Sequence, residues 1–179
     1  MHLRTLVPTV AAGLLAGGCS PYRPAPPPPT PAPATAELRD AQDRVVGTVR
    51  AAHDPLGVRL TIEVRGLPEG PHAIHLHAVG ACTPPDFASA GPHFNPDSLG
   101  HGLANPLGPH AGDLPNIVVG ADGSGNAVFV NPRVTLGAGA SSLFDSDGTA
   151  VVVHATADDQ RTDPSGASGA RLACGVLRR

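Results

Sequence analysis

From about Glu37 to the C-terminus, apolar and polar residues alternate in short runs, a period of two that predicts β-strands rather than helices. Arg44–Arg50 (RVVGTVR) and Val58–Arg65 (VRLTIEVR) carry the alternation of half-buried antiparallel strands. Ala73–Val79 (AIHLHAV) predicts a third. Residues 116–119 and 126–130 flank Asp122-Gly-Ser-Gly, a hairpin turn, and Ala150–His154 is a continuous apolar strand. Leu172–Leu177 closes the set. Seven or eight such strands predict an all-β fold, a Greek-key β-sandwich or flattened barrel. Two connections are long, Gly80 to about Pro115 and Ala155–Ala170. Structureless stretches of that size in a compact domain usually carry function, so the chemistry is sought there.

The pattern changes before residue 37. An apolar stretch, Thr5–Gly18, follows a start bearing Arg4 and runs into Leu15-Ala16-Gly17-Gly18-Cys19. It is short for a bilayer span and interrupted by Pro8, so residues 1–18 read as an export signal, with Cys19 as the lipidated residue and plain cleavage nearby as the alternative. Pro21–Ala36 (PYRPAPPPPTPAPATA) lacks the donors and backbone freedom for regular structure. Residues 19–36 therefore read as a lipidated tether holding residues 37–179 off a membrane. The expected location is the cell envelope, on the periplasmic or extracellular side.

Composition narrows the picture. The chain of 179 residues supports one core, and with no Trp, four Phe and one Tyr that core must be aliphatic. All 12 basic residues are Arg, against 15 acids, so no nucleic-acid footprint exists. With Cys19 lipidated, Cys82 and Cys174 remain as one pair in an oxidising compartment, and a disulfide between them is expected.

Histidine supplies the candidate chemistry. His75 and His77 lie two apart on a strand, so both rings point to one face while Ile74 and Leu76 point to the other. His72 falls on the opposite parity and reads as a structural hydrogen-bonding residue. The loop that follows contributes His93, His101, His110 and Asp113, three imidazoles and a carboxylate that suit a closed tetrahedral zinc site. With His154 they form one clustered set of metal ligands, whereas His2 and His53 have no assigned role.

The segments GPHAIHLH, SAGPHFNP, HAGDLPN, VVVHATADD and GARLACGV resemble, in order, the motifs of the copper/zinc superoxide dismutase family. The resemblance spans about Glu37–Leu177. It implies copper on His75, His77, His93 and His154, zinc on His93, His101, His110 and Asp113, and His93 bridging the two. It further implies that Asp158 links a copper ligand to a zinc ligand through their outer ring nitrogens, and that Arg171 holds and steers the superoxide anion beside copper. The implied catalytic residues are Arg171 and His93.

This chain departs from many family members in a short, lysine-free loop after His154. Ser165 stands near the place of a channel threonine, and Arg161 and Arg171 are the basic residues nearest in sequence. Cys82 lies five residues beyond His77, as in exported bacterial members. A non-catalytic copper- and zinc-binding envelope lipoprotein, or a metallochaperone-like module, is the competing reading. The sequence leaves open whether the protein is a monomer or a homodimer.

Overall fold

The computed structural model describes residues 29–179, together with His2. The export signal and Cys19 lie outside the described residues. Regular structure begins at Ala34, inside the segment read as a tether: Ala34–Asp40 forms β1, with Ala34, Ala36, Leu38 and Asp40 turned inward. The alternation is present in the sequence but is carried by two alanines next to a proline run.

Eight further strands follow: β2 (Val45–Asp54), β3 (Gly57–Val64), β4 (Gly70–His72), β5 (Ile74–His77), β6 (Ile117–Val119), β7 (Gly125–Asn131), β8 (Ala150–His154) and β9 (Arg171–Val176). Seven of them form one curled antiparallel sheet in the order β5-β8-β9-β1-β2-β3-β7, and β4 and β6 pair as a second, short sheet. The all-β architecture expected from the sequence is thus present, with nine strands in place of about eight. Among the described residues no helix is long and apolar enough to cross a membrane.

The core follows directly from strand parity. Val58, Leu60, Ile62 and Val64 of β3 point inward while Arg59 and Glu63 point out. They meet Leu38, Val49, Ile74, Leu76, Ile117, Val119, Val151 and Val153 in one aliphatic cluster. An extra residue at Val46 shifts the β1–β2 register, so Leu38 faces Gly47 and Arg39 faces Val45. Gly47 is required there, because a Cβ would lie 2.4 Å from the Glu63 carbonyl oxygen.

Both expected long connections are present, between β5 and β6 and between β8 and β9. A third, residues 132–149, is an addition to the sequence reading. It carries the chain from β7 at one sheet edge to β8, beside β5 at the other.

Candidate metal centre

β5 delivers two rings from one face. Ile74 and Leu76 enter the aliphatic core, and His75 and His77 emerge together on the other side, both buried. Its neighbour β8 presents His154 at its C-terminal end. There the register slips at Leu172, so that Val153 faces Ala173 but His154 faces Arg171. The bulge re-aims β9 and makes Arg171 the register partner of His154, both lining one cleft.

The β5–β6 loop is stitched to β5 by main-chain hydrogen bonds. Leu76 N–H donates to the Gly112 carbonyl (2.9 Å), Gly112 N–H to Phe94 (2.8 Å), and Phe94 N–H to Leu76 (2.8 Å). Two isolated β-bridges flank this ring, His75 with Asp113 and His77 with His93. Gly112 permits the approach, since a Cβ would lie 2.2 Å from the Leu76 oxygen.

Two groups of donors converge. His75, His77, His93 and His154 bring one ligand atom each within 4.8 Å of one another, and so do His93, His101, His110 and Asp113. Every residue in both groups is buried. His75 Nδ1, His77 Nε2, His93 Nε2 and His154 Nε2 are buried and have no hydrogen-bond partner among the described residues. A buried polar atom left unpaired is costly, and four in one pocket fit a cation that takes their lone pairs.

The opposite ring nitrogens fix this orientation. His75 Nε2 donates to Asp158 Oδ2 (2.8 Å), His77 Nδ1 to the Gly91 carbonyl (2.9 Å), and His154 Nδ1 to Ser168 Oγ (3.1 Å). Burial holds these rings neutral, lowering His75 to about 4, His77 to about 2 and His154 to about 3. Neutral imidazole is the form that ligates.

The second group centres on Asp113 Oδ1, which lies 2.9 Å from His93 Nδ1, 3.0 Å from His101 Nδ1 and 3.3 Å from His110 Nδ1. Asp113 Oδ2 accepts from the Gly102 and His110 N–H groups. Burial alone would raise this carboxyl, but the hydrogen bonds from His101, His93 and Gly102 hold it well below the usual range. His101 has an acid on each side, with Nε2 donating to Asp158 Oδ1 at 3.0 Å. Burial opposes its charge, yet the two carboxylates outweigh burial and raise it to about 9.

Asp158 therefore spans the groups, touching His75 with one oxygen and His101 with the other. Asn116 secures it in both directions: the Asp158 N–H donates to Asn116 Oδ1 (2.8 Å), and Asn116 Nδ2 donates to the Asp158 carbonyl (2.9 Å). Asp163 accepts from the His101 N–H at 2.5 Å and ties the β8–β9 loop to the β5–β6 loop. Asn116 and Asp163 were not legible as site residues, since nothing in one sequence separates them from ordinary loop polar groups.

His72 stands apart, as its parity suggested, although the strand breaks at Ala73 and places it on β4. Its ring contacts the His154 and Pro68 carbonyl oxygens, each at 2.8 Å. The Cys82–Cys174 disulfide is present, with a Cα–Cα distance of 5.6 Å. Arg171 donates from Nη1 to the Phe87 carbonyl (2.6 Å) and from Nη2 to Gly91 (2.8 Å). It lines a cleft of about 510 Å³ together with His77, His93, His154, Asp86 and Ser165.

A curled antiparallel β-fold with two adjoining His-rich ligand groups, one side chain common to both, defines a protein with a paired metal site. A family model for copper/zinc superoxide dismutase matches residues 45–177. The chain belongs to that family, which uses copper and zinc. It is 45% identical to superoxide dismutase [Cu-Zn] 2 of Aquifex aeolicus over 80% of this chain and 85% of that one. It is also 45% identical to the Cu-Zn superoxide dismutase of Caulobacter vibrioides, over 80% and 84%. The crystal structure of a SOD-like protein from Bacillus subtilis superposes with a TM-score of 0.78 at 39% identity, covering 80% of this chain and 97% of the other.

Proposed function

We propose that this protein is a working copper/zinc superoxide dismutase, with copper held by His75, His77, His93 and His154 and zinc by His93, His101, His110 and Asp113. The observation that carries the reading is the set of four unpartnered buried nitrogens, on His75 and on His77, His93 and His154, the last three of which line the cleft beside Arg171. Copper at that position would supply one-electron exchange, and zinc a redox-inert charge. One superoxide gives up an electron and leaves as dioxygen; a second takes up an electron and two protons and leaves as hydrogen peroxide.

The residues divide this work. Arg171, fixed by two main-chain carbonyls, keeps N–H edges and a positive charge at the cleft, where a small anion can be held. His93 is common to both ligand groups, with Nε2 toward the first and Nδ1 toward the second. As a bridging imidazolate it would take up a proton at Nε2 and release it to the departing peroxide. Asp158 orients His75 and His101 without ligating. In the same reading the protein is exported and lipid-anchored through Cys19, a proposal supported by the small residues that precede it and by the proline-rich run that follows.

The test is to load the protein with both metals, quantify them, and assay superoxide dismutation beside His154→Ala. One copper and one zinc per chain with activity, lost in the variant, supports the enzyme. Full loading without activity would instead favour the non-catalytic metal-binding protein, a reading that the resemblance to a SOD-like protein keeps specific.

A further inference from the structure

Asp86 and Arg171 are the two side chains of fixed opposite charge among the residues lining the cleft above the first ligand group. Asp86 is exposed, and its position is set by its neighbours rather than by a long flexible reach. Its Oδ1 accepts from the Ala88 N–H (3.0 Å), which leaves the carboxylate as a turn cap at the cleft wall. The next residue, Phe87, is buried at 2% exposure, and its carbonyl accepts from Arg171 Nη1. The acid is therefore the immediate chain neighbour of a residue whose carbonyl holds the guanidinium. Burial lowers the Arg171 guanidinium, and the charge of Asp86 acts in the opposite sense without overcoming it.

We infer that Asp86 restrains anion entry into this cleft, setting the rate at which a small monovalent anion reaches Arg171 and limiting that rate below what Arg171 alone would give. The inference rests on the reading of the cleft as the superoxide site. A negative charge at the mouth of a low-dielectric cleft repels an approaching anion and cancels part of the arginine field. The chain contains no lysine, and Arg171 is the one basic residue among those lining the cleft. Asp86 is a rate-setting residue for access and takes no part in binding metal.

The experiment compares the copper- and zinc-loaded wild type with Asp86→Asn and Asp86→Arg, and with Glu63→Gln on the exposed face of β3 as a control for net charge. Dismutation is followed at increasing ionic strength, and azide binding to the loaded protein is titrated alongside. Asp86→Asn is expected to raise the second-order rate about two- to fivefold at low salt, and Asp86→Arg by more, with both gains fading as ions screen the cleft. Azide affinity should rise in the same order, and Glu63→Gln should change neither quantity. Equal rates and equal azide affinity for wild type and Asp86→Asn at low salt would overturn the inference. An inactive wild type would instead overturn the enzyme reading, while the azide titration would still decide the role of Asp86.

Discussion

A β-carbon on Gly166 would lie 1.7 Å from Asp158 Oδ1, so this glycine, at φ 63°, is the space into which the linking carboxylate fits. The same added atom would lie 2.8 Å from His101 Nε2. The hydrogen bond between the two loops thus depends on a residue with no functional group.

Gly166→Ala is expected to displace Asp158 and to cost about 1–3 kcal/mol in backbone strain alone. Gly137→Ala, where the added carbon meets only ordinary contact, is the control. Thermal unfolding of the metal-free proteins checks the stability, and zinc affinity by chelator competition checks the displacement. Unchanged zinc affinity would show that Asp158 finds another position.

Asp158→Asn should weaken at least one metal by about 10–100-fold. A carboxylate accepts from His75 and from His101 together, whereas an amide offers one oxygen and turns a donor toward the other ring. Copper and zinc affinities measured separately would reveal which histidine the amide oxygen keeps. No loss at either site would remove Asp158 from the orienting role.

The stability of the metal-free protein should peak near pH 6.5. Below that value the unfolded chain protonates His75, His77 and His154, whose folded values are lowered to about 4, 2 and 3, so stability falls as the solution becomes more acidic. His101 acts on the other side. Its folded value is raised to about 9, so its contribution is complete below about 6.5 and is lost as pH rises through 9. Denaturant midpoints at pH 5, 6.5 and 9 test both arms, and a midpoint that increases steadily from 5 to 9 would contradict them.

The disulfide holds one end of the segment whose carbonyls, at Phe87 and Gly91, grip Arg171. Replacing Cys82 and Cys174 by serine should cost about 2–5 kcal/mol of stability. Dismutase rate per bound copper should fall more than metal content does, because the ligands sit on β5, β8 and the stitched part of the loop. Equal losses of rate and metal would mean that the bridge supports the ligands instead.

The sequence carried much of this arrangement, for identifiable reasons. A strand period of two places His75 and His77 on one face whatever surrounds them, whereas the place of Asp158 between His75 and His101 was implied by the family resemblance alone. What was hidden depended on three-dimensional contact. β1 extended into the expected tether because Ala34 and Ala36 are too small to signal a strand beside prolines, although they fill the core against β2. The bulge that makes Arg171 the register partner of His154 is invisible without the partner strand. Residues 132–149 gave no pattern, and Asn116 and Gly166 matter only through what they touch.

The Leu76–Phe94–Gly112 ring is made of main-chain groups, which substitutions at the neighbouring histidines do not remove. The frame that aims the ligands is therefore separable from the ligands themselves. A descendant could exchange an imidazole for another side chain and still fold around the same pocket, so the architecture can outlast the chemistry it now positions.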